Sequence, residues 1–239
     1  MNPAALKVYS IQHMTGRCKL LFLSSAALAF TLQAWQTAAP ETWTFDRLDQ
    51  IGGHSATILG HPLVIDTPQG KAVQFNGVDD AIFLDVHPLA GAATFTWEVV
   101  FRPDRDGAPE QRFFHLQERD PKTGQDTGTR LLFETRLIGG RWCLDSFALS
   151  GGASKALMDR TLLHSTDAWH HDAAVYDGKE FRNYVDGKLQ GAATVHLIPQ
   201  GAGHTSIGTR INKRDYFKGA VRIARMTRRA LEPAEFLKW

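Results

Sequence analysis

The stretch that decides the fold runs from Trp169 to Lys188 and reads WHHDAAVYDGKEFRNYVDGK. It contains two Asp-Gly dipeptides, at 177–178 and 186–187, and each follows a strand-like run of apolar and polar residues. Asp-Gly between such runs is a strong hairpin signal, because glycine takes the positive φ that a tight turn needs. We therefore predict an antiparallel hairpin of residues 173–176 and 181–185, with a second turn at Asp186-Gly187. A lone hairpin is marginal in water, so this one must belong to a larger sheet.

Similar short runs, separated by turn residues, continue through the rest of the chain. In residues 95–101 every second side chain is large and apolar, which is typical of a strand with one buried face. Residues 130–137 and 141–149 read as strands joined at Gly139-Gly140, whereas the polar residues 118–129 predict a surface loop. About twelve such strands, with almost no helical pattern, predict an all-β fold: a two-sheet antiparallel jelly-roll sandwich.

Length and composition limit the classes of function. The chain has 239 residues, 43% of them hydrophobic and 22% charged, which is enough for one all-β domain with a substantial core. The net charge of +2 is too small to indicate a nucleic-acid partner, and no aromatic stacking platform accompanies the basic residues. We therefore expect a globular domain that does not bind nucleic acid.

The N-terminal residues differ from the rest. Arg17 and Lys19 precede an apolar run at 20–32 that is short for a membrane span and typical of a signal-peptide core. We expect residues 1–39 to be a signal peptide, with an uncleaved anchor as the alternative and Met14 as an alternative start. The mature domain would be 40–239, secreted, periplasmic or in the cell envelope, with Cys143 as its only cysteine. Only an uncleaved N-terminal segment would then contact a membrane.

Five segments, in order, carry a resemblance to a known family: residues 70–80 (GKAVQFNGVDD), 95–103 (FTWEVVFRP), 169–187, 205–208 (TSIG) and 217–235. Together they resemble bacterial laminin-G-like jelly-roll domains, which belong to the concanavalin A-like lectin/glucanase superfamily. The resemblance covers about residues 43–236. It implies a concanavalin A-like jelly roll for residues 40–239.

The resemblance also raises the question of calcium. Members of this family often hold a structural Ca²⁺ through acidic residues near the ends of the domain. Here Arg222 stands where an acidic residue is expected, which weakens the case for the ion. We hypothesise that Arg222 replaces the ion by pairing with Asp46.

Two further motifs contain residue types that bind metal ions. Asp79-Asp80 offers turn oxygens of the kind that Ca²⁺ prefers, although Asn and Asp also stabilise turns through their own backbone. His170-His171 cannot chelate one ion together, because adjacent strand residues point to opposite faces. We expect one histidine to pack inside the sandwich and the other to be exposed.

One charged constellation is the candidate binding site. If the apolar residues of 95–101 face the core, Glu98 and Arg102 face outward, and the same alternation turns other polar side chains outward on neighbouring strands. If these strands are adjacent in one sheet, the predicted floor consists of Glu98, Arg102, His115, Gln117, Arg130, Glu134 and Arg136. Arginine forks with carboxylates suit sugars, uronates or peptide ends. The alternative is a solvated face with cross-strand ion pairs.

No catalytic motif stands out. The Glu-x-Asp-x-x-Glu strand of the superfamily's glucanases does not occur here, nor does Gly-x-Ser-x-Gly or a metal-type Cys/His spacing. The leading prediction is an exported, non-catalytic recognition module for carbohydrate or a cell-envelope partner. One alternative is a glycoside hydrolase or lyase that uses Glu98 and Glu134 across the sheet. Another is a purely structural domain of a larger assembly.

Overall fold

The computed structural model describes residues 39–239, so the predicted signal or anchor lies outside the described residues except for Ala39. Within them the chain forms strands and one short 3₁₀ turn, and no helix in this part is long and apolar enough to cross a membrane. The strands are β1 (Glu41–Thr44), β2 (Gln50–Ile51), β3 (His54–Leu59), β4 (Leu63–Thr67), β5 (Gly70–Asn76), β6 (Ala81–Leu84), β7 (Phe95–Pro103), β8 (Glu110–Arg119), β9 (Asp126–Ile138), β10 (Arg141–Ser150), β11 (Ala153–Met158), β12 (His164–Ser165), β13 (His170–Tyr176), β14 (Glu180–Val185), β15 (Lys188–Thr194), β16 (Gly203–Ile207) and β17 (Lys218–Thr227).

The strands form two antiparallel sheets packed face to face. Sheet 1 has the order β15-β14-β13-β7-β17-β5-β4, with β1 also paired to β17. Sheet 2 has the order β11-β10-β9-β8-β16-β6-β3-β2, with β12 also paired to β10. Strands far apart in sequence are neighbours in both sheets, as in a jelly roll. The predicted two-sheet antiparallel jelly-roll sandwich is confirmed.

The predicted hairpin of residues 169–188 is present in sheet 1. Strands β13 and β14 pair in antiparallel register, and β14 continues into β15 through Asp186-Gly187. Both turn residues have positive φ, 50° for Asp186 and 74° for Gly187, as a two-residue type I′ turn requires. The Asp186 carboxylate also accepts a hydrogen bond from the His171 backbone N–H at 2.9 Å. This turn therefore sets the register of the hairpin and ties it to the start of β13.

Replacing Gly187 with alanine should lower the free energy of unfolding by about 1–2 kcal/mol. An added Cβ would meet no atom within 4 Å, so the loss comes from the positive φ alone. Gly128 is the matched control, because its φ is not positive and its added Cβ would make only an ordinary 3.7 Å contact with Leu149. Urea denaturation of both variants tests this. An equal loss at Gly128 would contradict the explanation.

The space between the sheets is filled largely by aromatic rings. Trp97 stacks on Phe133 and Phe101 stacks on Phe113, each with ring centroids 4.1 Å apart. The alternating apolar residues of β7 all belong to this core, as predicted. Each such side chain, once buried, stabilises the fold by roughly 1.5–3 kcal/mol. The core therefore holds the two sheets together and leaves only their outer faces for recognition.

The C-terminal segment, residues 228–237, covers the centre of the outer face of sheet 1. Leu231 and Phe236 form a second apolar cluster with side chains of β13 and β14. The 3₁₀ turn Pro233–Glu235 lies between them and has a capping box that joins Glu232 and Glu235. As a result, outward-pointing side chains of β7 are buried beneath the segment.

The same cover changes the prediction for the two adjacent histidines. His170 lies between the sheets, with its ring 5.2 Å from that of Trp142, and His171 lies on the outer face against Phe236. The opposite orientations are as expected, but the predicted exposure of one histidine is wrong. Both are buried, because residues 228–237 cover the outer one.

Candidate functional site

The seven residues predicted to form one charged floor lie on opposite faces of the sandwich. Glu98 and Arg102 belong to β7 in sheet 1, whereas the other five belong to β8 and β9 in sheet 2. All seven point away from the core, but the two sheets, about 10 Å apart, separate the groups. The predicted single floor is therefore wrong. Glu98 and Glu134 likewise cannot form the catalytic pair considered above, because they face opposite sides of the molecule.

Glu98 is a structural anchor rather than a binding residue. It is 0% exposed, and its Oε1 accepts from the Leu237 backbone N–H at 2.6 Å and contacts His171 Nε2 at 3.1 Å. Its Oε2 accepts from Arg225 Nε at 2.6 Å. Burial acts to raise the pKa of Glu98, but these hydrogen bonds outweigh it, and the pKa lies below its ordinary value. The carboxylate thus fastens the C-terminal segment to sheet 1.

Three other predicted residues also have local structural roles. Arg102 Nη2 donates to Gln74 Oε1 at 2.6 Å within sheet 1. Gln117 Nε2 donates to the carbonyls of residues 127 and 129, and so holds the start of β9 against β8. The predicted loop at 118–129 is shorter than expected, because β8 reaches residue 119 and β9 begins at residue 126. His115 Nδ1 accepts from the Ile211 backbone N–H at 3.0 Å.

The remaining three predicted residues, Arg130, Glu134 and Arg136, do come together. With neighbouring side chains they line a hollow of about 230 Å³ on the outer face of sheet 2. We call this hollow the charged depression, and its lining consists of Arg112, Arg130, Leu132, Glu134, Arg136, Asp145, Phe147, Ala156 and Arg210.

A network of ion pairs forms one side of the charged depression. Arg136 Nη2 donates to Glu134 Oε2 at 2.7 Å and to Asp145 Oδ2 at 2.6 Å. Arg112 lies on the other side of Glu134, with Nε 3.3 Å from Oε1, and its Nη1 pairs with Asp215 at 2.6 Å. The pairing of β9 with β10 places Asp145 directly opposite Glu134. Glu110 Oε1 also lies 2.7 Å from Arg136 Nη1, so three carboxyl groups share one guanidinium.

Glu134 is the titratable group of this network. Burial, together with the nearby charge of Asp145, raises its pKa to about 7, even though Arg112 and Arg136 act in the opposite direction. The side chain of Glu134 is only 6% exposed, so solvent screens these interactions weakly. The charge of the depression therefore changes near neutral pH.

We expect the contribution of Glu134 to the free energy of unfolding to fall as pH rises from about 4.5 to about 7, whereas four histidines whose pKa values the fold lowers, His87, His115, His164 and His204, contribute in the opposite direction. In this range Glu134 is ionised in the unfolded chain but binds a proton in the fold, so the native state holds more protons and loses relative stability with rising pH. The contribution is up to about 3 kcal/mol. Replacing Glu134 with glutamine should remove this contribution, so that the free energy of unfolding of the variant minus that of the wild type rises with pH across this range, measured by urea denaturation between pH 4 and 8. An unchanged slope would contradict the assignment.

Two arginines in the charged depression have no acidic partner among the described residues. Arg130 Nη1 donates only to the Gly128 carbonyl, and its guanidinium lies 4.8 Å from the centre of the Phe147 ring. Arg210 makes no side-chain hydrogen bond or ion pair to the part of the chain that is described. Burial, and then the charge of Arg210, lowers the pKa of Arg130. Two neighbouring cations therefore lack neutralising groups.

A second hollow lies on the outer face of sheet 2. It has a volume of about 500 Å³, and residues Ser55, Thr57, Ile58, Leu59, Phe83, Leu84, Asp85, Arg119, His204, Ile211 and Lys213 line it. We call it the mixed depression, because a partly exposed Phe83 lies among hydroxyl and charged groups. The loop at 209–216 contributes side chains to both hollows and so lies between them.

Charged groups form a chain along the mixed depression. Arg119 pairs with Asp85, and its Nη2 donates to His204 Nδ1 at 2.6 Å. An arginine can only donate, so the proton of a neutral His204 is on Nε2, which lies 2.6 Å from Asp126 Oδ1. Burial lowers the pKa of His204, which favours this neutral form. The side chains that face the mixed depression therefore have defined donor and acceptor roles.

The predicted calcium ligands do not fit an ion. Asp80 is buried, and its two carboxylate oxygens accept from the backbone N–H groups of His61 at 2.6 Å and Asn76 at 3.0 Å. Asp79 Oδ1 accepts from the Asn76 side-chain amide at 2.8 Å. Within residues 39–239 no three His, Cys, Asp or Glu side chains are grouped so that they could hold a metal. Turn chemistry accounts for this motif.

The proposed pairing of Arg222 with Asp46 is also wrong. Both residues line one small hollow, but they form no ion pair there. Arg222 Nη1 instead donates to the Gln69 carbonyl at 2.7 Å. Arg222 lies where the register of β17 against β7 shifts, between Val221 and Ile223, and this bulge redirects its side chain.

Sequence reasoning missed Asp145, Arg112, Arg210 and the whole mixed depression. The position of Asp145 could have been predicted from sequence, because a two-residue turn at Gly139-Gly140 sets the register that places Asp145 opposite Glu134. The position of Arg210 could not be predicted in this way, because Arg210 belongs to a loop that is held by distant strands. The mixed depression depends on β3, β6 and β16 being neighbours, which no local pattern indicates.

Comparisons with known proteins agree with this architecture. No curated protein sequence matches the chain. Domain 4 of the extracellular arabinanase AbnA from Geobacillus stearothermophilus, solved with arabinotriose, superposes with a TM-score of 0.59 at 20% identity, over 82% of this chain and 94% of that domain. The receptor-binding domain of botulinum neurotoxin type G gives a TM-score of 0.53 at 13% identity, over 81% and 48% of the two chains.

A structure of botulinum neurotoxin type C, whose cell entry depends on two ganglioside molecules, gives a TM-score of 0.55 at 9% identity, over 82% and 49%. The chain spans about half the length of these two toxin structures. At such low identities the likeness concerns the fold alone. The laminin G family model, described as concanavalin A-like lectin/glucanases superfamily, matches residues 76–236. Because this match covers more than half of the chain, the protein belongs to the laminin-G-like branch of the concanavalin A-like lectin/glucanase superfamily.

Proposed function

We propose that the protein is an exported, non-catalytic recognition module that binds glycan through the outer face of sheet 2. The observation that carries the proposal is the difference between the two outer faces. Residues 228–237 cover the centre of sheet 1, where a hollow of about 390 Å³ is lined mostly by the C-terminal residues themselves, whereas sheet 2 presents the charged and the mixed depression. Hollows that combine aromatic rings with converging polar groups are typical of ligand sites.

Proteins of the same fold support glycan as the ligand class. The arabinanase domain was solved with arabinotriose, and neurotoxin type C depends on gangliosides for cell entry. The two depressions offer what a sugar needs: rings for its apolar face, and donors and acceptors for its hydroxyls. A cell-envelope protein is the alternative partner, and it would use the same face.

Binding of the protein to a glycan array, compared with two variants, tests this proposal. Phe83→Ala changes the mixed depression and Arg210→Ala changes the charged depression. We expect at least one of them to lower the affinity for the bound glycan by about tenfold or more. Leu189→Ala is the control, because Leu189 is exposed on β15 of sheet 1. An array with no binding, or an equal loss with Leu189→Ala, would show that this face is not a glycan site.

Export is a separate part of the proposal and rests on the charged and apolar pattern of residues 17–32. Fusion of residues 1–39 to a reporter that is active only after export tests it. Reporter activity should require the apolar run, and a variant with two lysines in that run should be inactive. Activity that survives this change would contradict export through this segment.

One observation favours a glycoside hydrolase as a second candidate. Glu134 and Asp145 contact the same nitrogen of Arg136, so they lie no farther apart than the carboxylates of retaining glycosidases, which are about 5–5.5 Å apart. Glu134 also has the raised pKa of a general acid. However, the guanidinium occupies the gap that a glycosidic bond would need. Hydrolysis of array-positive glycans, abolished in Glu134→Gln, would favour the enzyme over the recognition module.

A further inference from the structure

We propose that the charged depression binds a saccharide that carries a carboxylate, and that Arg130 and Arg210 hold that carboxylate. This inference rests on the proposed glycan-binding function and names the class of glycan. A planar guanidinium matches a carboxylate through two parallel hydrogen bonds, and two guanidiniums define both its position and its plane.

Charge is unevenly distributed within the charged depression. On one side, Arg112 and Arg136 are neutralised by Glu110, Glu134, Asp145 and Asp215. On the other side, Arg130 and Arg210 have no carboxylate partner among the described residues, and Arg130 Nε is buried with no hydrogen-bond acceptor. Two like charges placed together repel each other. An anion between them would relieve the repulsion.

Hydrogen bonds of the loop at 209–216 fix the backbone position of Arg210. The Lys213 backbone N–H donates to the Arg210 carbonyl at 2.8 Å, and Thr209 Oγ1 donates to the Arg214 carbonyl at 2.9 Å. Ile211, the residue after Arg210, attaches the loop to sheet 2, because its backbone N–H donates to His115 Nδ1. Lys213 adopts a positive φ of 59°, a conformation that surrounding contacts must hold. The backbone of Arg210 is therefore fixed before any ligand arrives.

The other groups of the charged depression favour an anion that belongs to a saccharide. Two carboxyl groups, those of Glu134 and Asp145, line the hollow beside Arg136. Glu134 and Asp145 can accept from hydroxyl groups, and an inorganic anion or a peptide C-terminus has no such row of hydroxyls. Phe147 lies beside Arg130 and offers an apolar edge to a sugar ring. A sugar acid satisfies the donors and the acceptors of this hollow together.

Titration calorimetry with matched pairs of saccharides tests the inference on the full-length protein. Oligogalacturonate is compared with its methyl ester, and sialyllactose with lactose, so that uronates and sialates are examined separately. We expect at least one acid to bind tenfold or more tightly than its neutral counterpart. Arg130→Met and Arg210→Met should each weaken that binding about tenfold or more, while the methionine keeps the apolar stem in place. Lys188→Met, an exposed cation on β15 of sheet 1, should have no effect.

Each other outcome overturns the inference and locates the error. If acid and neutral saccharides bind equally and Phe83→Ala weakens both, glycan recognition stands but the charged depression is not its site. If inorganic sulfate, sulfated neutral saccharides or a peptide carboxylate bind as tightly as the sugar acids, the hollow selects an anion and not a sugar acid. If no saccharide binds, the proposed function fails as well. Circular dichroism of each arginine variant verifies that the fold is retained.

Discussion

Replacing Glu98 with alanine should lower the free energy of unfolding by about 3–5 kcal/mol, the loss expected when one partner of a buried charged network is removed. The truncation removes the acceptor of three groups: the His171 ring nitrogen, Arg225 Nε and the Leu237 N–H. Arg225 would then be a mostly buried cation with no carboxylate partner. The total stability of a domain is typically about 5–15 kcal/mol, so this is a large part of it.

Two comparisons make this result specific. Glu98→Gln keeps the shape and one acceptor oxygen but not the charge, so its loss should be smaller than that of alanine. Asp66→Ala breaks an exposed pair with Lys71, which is worth at most about 1 kcal/mol. Urea denaturation measures all three. A loss for Glu98→Ala no greater than that for Asp66→Ala would mean that the buried contacts contribute nothing.

The part of the molecule that Glu98→Ala destabilises first provides a second test. Since Glu98 fastens residues 228–237 to sheet 1, amide hydrogen exchange in Glu98→Ala should accelerate first in that segment and in β13 beneath it. Binding through the outer face of sheet 2 should be unchanged at temperatures where the variant is folded. Faster exchange that begins in sheet 2 instead would show that Glu98 does not act through the C-terminal segment.

The different fates of Glu98 and Glu134 show what a local pattern can predict. Alternation along β7 and β9 correctly turns both side chains away from the core. It does not say which strands are neighbours. Strand β8 follows β7 in the chain but pairs with β9 and β16 in the other sheet, because the chain crosses from sheet 1 to sheet 2 between β7 and β8. Sheet membership is decided by pairing between distant segments.

Turn residues predicted more of the strand pairing than the alternation of apolar and polar residues did. The Asp186-Gly187 turn predicts a hairpin. The two-residue turn at Gly139-Gly140 likewise determines which residues of β9 and β10 lie opposite each other. Half of the charged depression was therefore within reach of sequence reasoning. The other half depends on Arg210, whose loop is held by His115, almost a hundred positions earlier in the chain. No periodicity links residues that are so far apart.

Burial was the quantity that the sequence predicted least well. Leu231 and Phe236 are ordinary apolar residues near a chain end, and nothing local indicates that they cover β13 and β14. Their position turns a predicted solvent-facing carboxylate, Glu98, into a buried one. The candidate ligand face consequently moves from β7 to sheet 2 alone.

A second carboxylate, Asp172, is buried on the opposite side of the same sheet. It lies on β13 across from Val99 and Val185, both of which belong to the core between the sheets. Its exposure is 0%, and neither of its oxygens has a hydrogen-bond partner. Burial, and to a lesser extent the charge of Asp186, raises the pKa of Asp172 well above its ordinary value. The fold therefore favours the protonated acid, whereas the unfolded chain ionises it.

Replacing Asp172 with valine should raise the free energy of unfolding at pH 7 by about 1–3 kcal/mol, because a buried polar group without a partner is removed. Valine suits a strand and matches its two cross-strand neighbours. In the wild type, the contribution of Asp172 is most favourable below the ordinary carboxyl pKa, where the unfolded chain is protonated too, and it is lost as pH rises toward the raised pKa.

Asp172→Asn separates the two causes. The amide has no titration in this range, so this variant should lose the pH dependence that Asp172 contributes while it keeps a buried polar group. Valine should remove both the pH dependence and the polar group, so its stability should exceed that of asparagine at every pH. Urea denaturation from pH 4 to 8 measures these differences, and Glu134→Gln in the same series removes the other group that titrates in the same direction. If the valine variant is less stable than the wild type at pH 7, the Asp172 carboxyl has a stabilising partner in solution, and the assignment of a buried, unpaired acid is wrong.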